Sequence, residues 1–163
     1  MSRRTAKSNR TSRGFSLPEL LVVIAILGIM VVFGGPAVNE AYRSYKIRAA
    51  ADNLLTDVRA LRYNAVANRA ARTMTLNNQS NATAPNQYTF VNSKGQTITM
   101  TVETGVNIET SSASTITMNI NGGTGSTGNT TVVVSGMVNE SRNDRYTITI
   151  TPSGTVSTAY STF

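Results

Sequence analysis

Apolar and polar positions change their period twice along this chain, and each change marks a boundary. Residues 1–14 are polar and basic, with no hydrophobic periodicity. From residue 20 through residue 39 there is no charge at all, twenty residues in which a helix just spans ~30 Å of hydrocarbon. Gly34-Gly35-Pro36 interrupts that stretch: proline removes an intrahelical hydrogen bond and glycine weakens the turn, so a kink or short melted stretch is expected. Beyond it, Ile47, Ala51, Leu54, Val58, Leu61 and Ala65 recur at alternating intervals of four and three, with Arg48, Asp52, Thr56, Arg59 and Tyr63 elsewhere around the helix. The spacing predicts one long helix over residues 18–72, whose apolar stripe packs on something in its outer half.

After residue 72 the period becomes two. Met74 and Leu76, Tyr88 and Phe90, then Ile98, Met100 and Val102 each alternate with threonine or other polar positions. Ile116, Met118 and Ile120 repeat the pattern, as do Tyr146, Ile148 and Ile150. These read as half-buried strands, apolar on one face and threonine-rich on the other, in an antiparallel sheet covered on one side. Val132-Val133-Val134 reads as a short strand buried on both faces. The expected architecture is α+β: a long N-terminal helix, membrane-embedded in its first half, packed on antiparallel sheet. Residues 1–14 form a leader, 15–38 an apolar helix, 39–72 its amphipathic continuation, and 73–163 a β-rich domain. Two polar loops remain, residues 77–87 and 122–129. The second, Gly-Gly-Thr-Gly-Ser-Thr-Gly-Asn, lacks the lysine of a phosphate-binding loop and opens no helix, so it reads as a flexible hairpin connection. Such loops are the expected contact points of a membrane-tethered binding module.

Composition removes most chemistries. The chain has no Cys, His or Trp, which rules out disulfides, most zinc sites and His-dependent nucleophile arrangements. Only eight Asp and Glu exist, and they are scattered. No enzyme activity, cofactor or metal is expected. The net charge of +7 suggests nucleic acid at first sight. Five of the cations, Arg3, Arg4, Lys7, Arg10 and Arg13, lie in the leader; without them the chain carries ten Lys and Arg against eight Asp and Glu, a formal +2.

The junction Gly14-Phe15-Ser16-Leu17-Pro18-Glu19-Leu20-Leu21-Val22-Val23-Ile24 places one carboxylate in an apolar run. An ionised Glu at bilayer depth costs roughly 2.5–3.5 kcal/mol or more, so such residues are rare and functional. Positive charge on the N-terminal flank sets Met1 on the cytoplasmic side. A plain signal anchor explains the length and orientation but neither Glu19 nor the Gly14–Phe15 junction. An ordinary secretory signal cut before Val38 requires a proline beside the scissile bond and an apolar run longer than usual. The mature N-terminus separates these readings: Phe15, Val38, or Met1 or Ser2.

Residues 14–33 resemble the N-terminus of a type IV prepilin. The resemblance implies cleavage by a prepilin peptidase after Gly14 and methylation of the new Phe15 amine. It also implies assembly in which Glu19 of one subunit neutralises the amine of a neighbour, leaving neither buried charge unpaired. Pro18 departs from the commoner aliphatic residue, yet it stands in the first helical turn, where no donor is lost. A second resemblance, carried by residues 50–69, Thr73-Met74-Thr75-Leu76 and the Pro152-Ser153-Gly154-Thr155 turn, is to the GspH/FimT family. Its members are minor pseudopilins of type II secretion and minor pilins of type IV pili. Implied partners are other pilin or pseudopilin subunits, the peptidase, and the inner membrane with its assembly platform, with the β-rich domain outside the cytoplasm. Some FimT-like proteins bind DNA through arginines after the C-terminal glycine, but residues 155–163 here contain none. The remaining candidates for phosphate contact are Arg59, Arg62 and Arg69 on the helix, and Arg142 and Arg145 near the last apolar strand.

Overall fold

The computed structural model describes residues 15–81 and 83–163, and of Phe33 only the backbone. The chain divides into two compact units, Met1–Val38 and Asn39–Phe163. A single helix, α1, runs Leu17–Ala67. It begins where the Ser16 carbonyl accepts the Glu19 and Leu20 N–H groups, at 3.0 and 3.2 Å, which makes Ser16 the N-cap. Pro18 therefore falls in the first turn, whose N–H groups have no intrahelical acceptor.

Backbone helicity continues through Gly34, Gly35 and Pro36, so there is no melted stretch. The axis instead breaks at residue 33, between Leu17–Val32 and Gly34–Ala67. Pro36 offers no N–H to the Val32 carbonyl one turn earlier, which weakens the ladder at that point. Among the described residues no single helix is long and apolar enough to cross a membrane, but these two segments together meet that condition by length and composition.

The helix stops at Ala67, short of the expected residue 72. The Arg69 N–H returns to Val66 O and the Ala70 N–H to Ala65 O, with Arg69 at φ 48°. That is a Schellman ending with arginine where glycine is usual, so the sequence held no stop signal. Arg72 already belongs to the first strand.

Eight strands follow: β1 (Arg72–Asn77), β2 (Gln87–Val91), β3 (Thr97–Thr101), β4 (Val106–Ile108), β5 (Thr115–Met118), β6 (Thr130–Asn139), β7 (Arg142–Ile150) and β8 (Val156–Thr162). They form two four-stranded sheets, ordered β3-β2-β1-β5 and β4-β6-β7-β8, with every pairing antiparallel. The six stripe residues of α1 are each at most 1% exposed. Around them gather Met74, Leu76, Tyr88, Ile116 and Met118 from one sheet, and Ile108, Val132, Val134, Ile148 and Ile150 from the other. One helix face thus serves two sheets as a common core.

Several strand expectations need correction. β6 is ten residues long rather than three, and β7 begins at Arg142. β3 is an outer strand, so its Met100 stays 38% exposed despite the alternation. Ile120 is not in a strand: Asn119 and Gly122 close a turn there, and Ile120 faces solvent. Neither polar loop is free along its length. The Asn86 side-chain oxygen accepts the Ile108 N–H at 2.9 Å, its amide donates to Asn107 Oδ1 at 3.0 Å, and its carbonyl accepts the Val102 N–H at 2.9 Å. Gly122 and Gly123 are buried, with Thr124 N–H on the Pro152 carbonyl at 3.0 Å; only residues 125–129 are exposed.

Among the polar contacts that tie the helix to the sheets, two are made by carboxylates. Tyr88 on β2 donates to Asp57 at 2.7 Å. Asp144 on β7 has no exposed side-chain surface and accepts from Ser44 of α1, Arg142 Nε at 2.8 Å and the Tyr160 hydroxyl of β8 at 3.0 Å. Burial pushes the Asp144 carboxyl upward, but the hydrogen bonds from Ser44, Arg142 and Tyr160 outweigh it and hold the group below the usual carboxylate range.

Two outcomes follow from this packing. Gly154 sits at φ 79°, where an added Cβ would run into the Gly122 carbonyl, whereas Gly128 has open space around it. Gly154→Ala should cost about 2–3 kcal/mol in thermal or urea unfolding, and Gly128→Ala less than about 0.5–1 kcal/mol. Because the folded Asp144 carboxyl titrates below its unfolded value, its contribution is present at neutral pH and is lost as pH falls below about 4 through the folded pKa. Unfolding titrations at pH 7 and pH 3 should show a smaller acid loss in Asp144→Asn than in the parent; an unchanged loss refutes the assignment.

Candidate functional site

Glu19 stands at the third helical position of α1, in the turn where a carboxylate is favoured by the helix dipole. Around it, Phe15, Leu17, Leu20, Leu21, Val22, Val23, Ile24, Ile26 and Leu27 are all exposed, Phe15 at 77%. Water does not tolerate an apolar surface of this size on a lone helix, so lipid or other apolar helices must cover it. No side chain among the described residues hydrogen-bonds or pairs with the Glu19 carboxylate. Its chemistry is therefore that of an acceptor without a partner among the described residues, set in a surface that has to be dehydrated. Phe15 precedes the helix; Gly14, the other half of the expected cleavage point, lies outside the described residues.

The five candidate arginines do not converge. Arg59 and Arg62 line one groove of about 640 Å³ beside Tyr63 and the Gly154 turn. Arg62 is engaged there: its Nε donates to the Gly122 carbonyl at 3.0 Å and Nη2 to the Ser153 carbonyl at 3.4 Å. It fastens the 122–124 loop to the β7–β8 turn. Arg69 occupies the left-handed helix ending and is exposed. Arg142 forms a bidentate pair with Asp144, and Arg145 a bidentate pair with Glu109 at 2.9 and 3.0 Å while its guanidinium lies 4.3 Å from the Phe163 ring centre. Charges so engaged have little left for phosphate.

Sequence reasoning missed Asp144, Ser44, Asn86 and Glu109 as structural partners. Asp144 alone carried a signal: it continues the inward positions Tyr146, Ile148 and Ile150 by two, so it had to point into the core. Among the described residues no three Asp or Glu side chains come together as a metal site.

Residues 9–34 match the prokaryotic N-terminal methylation motif. That match spans Gly14, Phe15 and Glu19. No curated protein sequence matches the chain. The fold is similar to that of the type IV minor pilin FimU of Pseudomonas aeruginosa strain PAO1, at a TM-score of 0.50 and 16% identity, over 69% of this chain and 91% of that one. At that identity the likeness is one of fold: a long N-terminal helix with antiparallel sheet. This chain thus joins a prokaryotic N-terminal methylation motif at the start of its helix to a type IV pilin-like fold beyond it.

Proposed function

We propose that the protein is a structural, non-enzymatic minor pilin or pseudopilin of the GspH/FimT type, a subunit of a type IV pilus or type II secretion filament. A prepilin peptidase cuts between Gly14 and Phe15 and methylates the Phe15 amine. The apolar helix holds the protein in the inner membrane as a single pass, with its N-terminus cytoplasmic and the β-rich domain periplasmic. On the assembly platform, neighbouring apolar helices replace lipid around it.

The observation that carries this reading is Glu19: one carboxylate within a wholly exposed apolar surface, with no partner among the described residues. A freed amine from an adjacent subunit supplies the missing cation, and pairing spares both groups the cost of burial alone. The kink region at Gly34, Gly35 and Pro36 lets the apolar segment adjust to its neighbours without loosening residues 39–163, whose core is separate. The likeness to a minor pilin fold and the absence of cysteine both favour the minor class. A FimT-like role in DNA uptake has less support. Arg62, Arg142 and Arg145 are held by carbonyls and carboxylates, which leaves Arg59 and Arg69 as the exposed cations of the candidate set.

Mass spectrometry of the native protein should find an N-methylated Phe15 at its N-terminus; an intact leader or a start at Val38 overturns the reading. Glu19→Ala should leave expression and membrane insertion intact yet reduce incorporation into filaments at least ten-fold, measured in sheared filament fractions. Normal incorporation of that variant removes the proposed role of the carboxylate.

A further inference from the structure

Antiparallel sheets end in edges, and an edge is a row of unpaired N–H and C=O groups unless something closes it. Four edges exist here, and they differ. At β4 the Val106 N–H is taken by the Glu103 carbonyl, the Ile108 N–H by Asn86, and the Ile108 carbonyl by the Gln79 N–H. That edge is closed. β5 is short: alternation from the Leu76 N–H to Ser114 O bond leaves only Thr115 and Thr117 facing outward. β3 leaves Thr97, Thr99 and Thr101, and beyond its ends stand the charged residues Lys94 and Glu103.

The β8 edge has no such device. Asn143 and Phe163 exchange both backbone bonds, and Thr151 N–H meets Thr155 O, so Ser157, Ala159 and Ser161 bond to β7. Val156, Thr158, Tyr160 and Thr162 then direct their N–H and C=O groups away from the sheet, where no group among the described residues reaches them. The strand carries no charge, no proline and no bulge, and all but Val156 of it is exposed. Beside it a groove of about 620 Å³ is lined by Tyr45, Arg48, Asp52, Tyr146 and Tyr160.

We infer that β8 is a docking edge for the β8 strand of a second copy of this chain, the two pairing antiparallel about Ala159. Such pairing sets Val156 against Thr162 and Thr158 against Tyr160 as hydrogen-bonded pairs, so every outward group of one strand meets one of the other. Ser157 falls opposite Ser161, and Ala159 opposite itself, as close non-hydrogen-bonded pairs. The strand itself is neutral, and the charges that flank the groove, Arg48 and Asp52, are of opposite sign and pair with each other along α1 at 3.7 Å. A two-fold copy therefore meets a neutral strand beside a charge pair that is already balanced, with no like-charge barrier. This inference does not depend on the proposed processing at Gly14.

Because the chain contains no native cysteine, one introduced thiol reports the contact cleanly. The experiment is Ala159→Cys in the full chain in detergent, mildly oxidised and followed by non-reducing electrophoresis, with Gly128→Cys as the exposed control. Disulfide dimer should form at least ten-fold faster at position 159. Ser157→Lys with Ser161→Lys, on the exposed face, sets like charges opposite and should lower that rate at least five-fold. Ser157→Glu with Ser161→Lys sets opposite charges together and should restore it. Equal rates at positions 159 and 128, or a position-159 rate indifferent to the lysine pair, overturn the inference; the second result would assign the contact to the apolar helix instead.

Discussion

Everything outside the apolar segment rests on one buried stripe: Ile47, Ala51, Leu54, Val58, Leu61 and Ala65 on a single face of α1. No disulfide exists to hold the domain, so burial against that face has to do it. Two four-stranded sheets share the stripe, which explains why β1, β5 and β7 each need only one apolar face and display threonine on the other. Removing side-chain volume at Leu54 or Leu61 would open the core to both sheets at once.

Polar groups then decide how the sheets sit on the helix. Hydrophobic burial is non-directional and specifies no register. Direction comes from Tyr88 on Asp57, from Asp144 gathering Ser44, Arg142 and Tyr160, and from Arg62 on two loop carbonyls. Each is a charged or strongly polar group whose burial is costly unless satisfied, so each accepts essentially one arrangement. Asn86 does the same between the sheets, where its side chain replaces a missing neighbour strand for β4. These contacts use up cations that the sequence presents as free for nucleic acid.

The two units divide the work. Met1–Val38 contains the methylation motif and an apolar surface that requires cover, whereas Asn39–Phe163 contains a complete core of its own. Under the proposed function, assembly chemistry lies in the first, around Glu19.

What was legible in the sequence was whatever depends on period and on local composition. The stripe, the lone Glu19 and most apolar strands follow from alternation and charge, because each residue's environment there is set by position along one element. Tertiary structure decided the rest. The helix end at Ala67 relies on Arg69 in a left-handed conformation that no glycine announced. β4 is three residues long, and β8 is a polar strand that exists because β7 offers it a partner. Arg62, Arg142 and Arg145 look alike as letters, and only the approach of distant carbonyls and carboxylates turned them into fasteners. Pairing across long sequence separations is invisible to a local pattern, since what fixes it is the geometry of groups that meet only when the chain has folded.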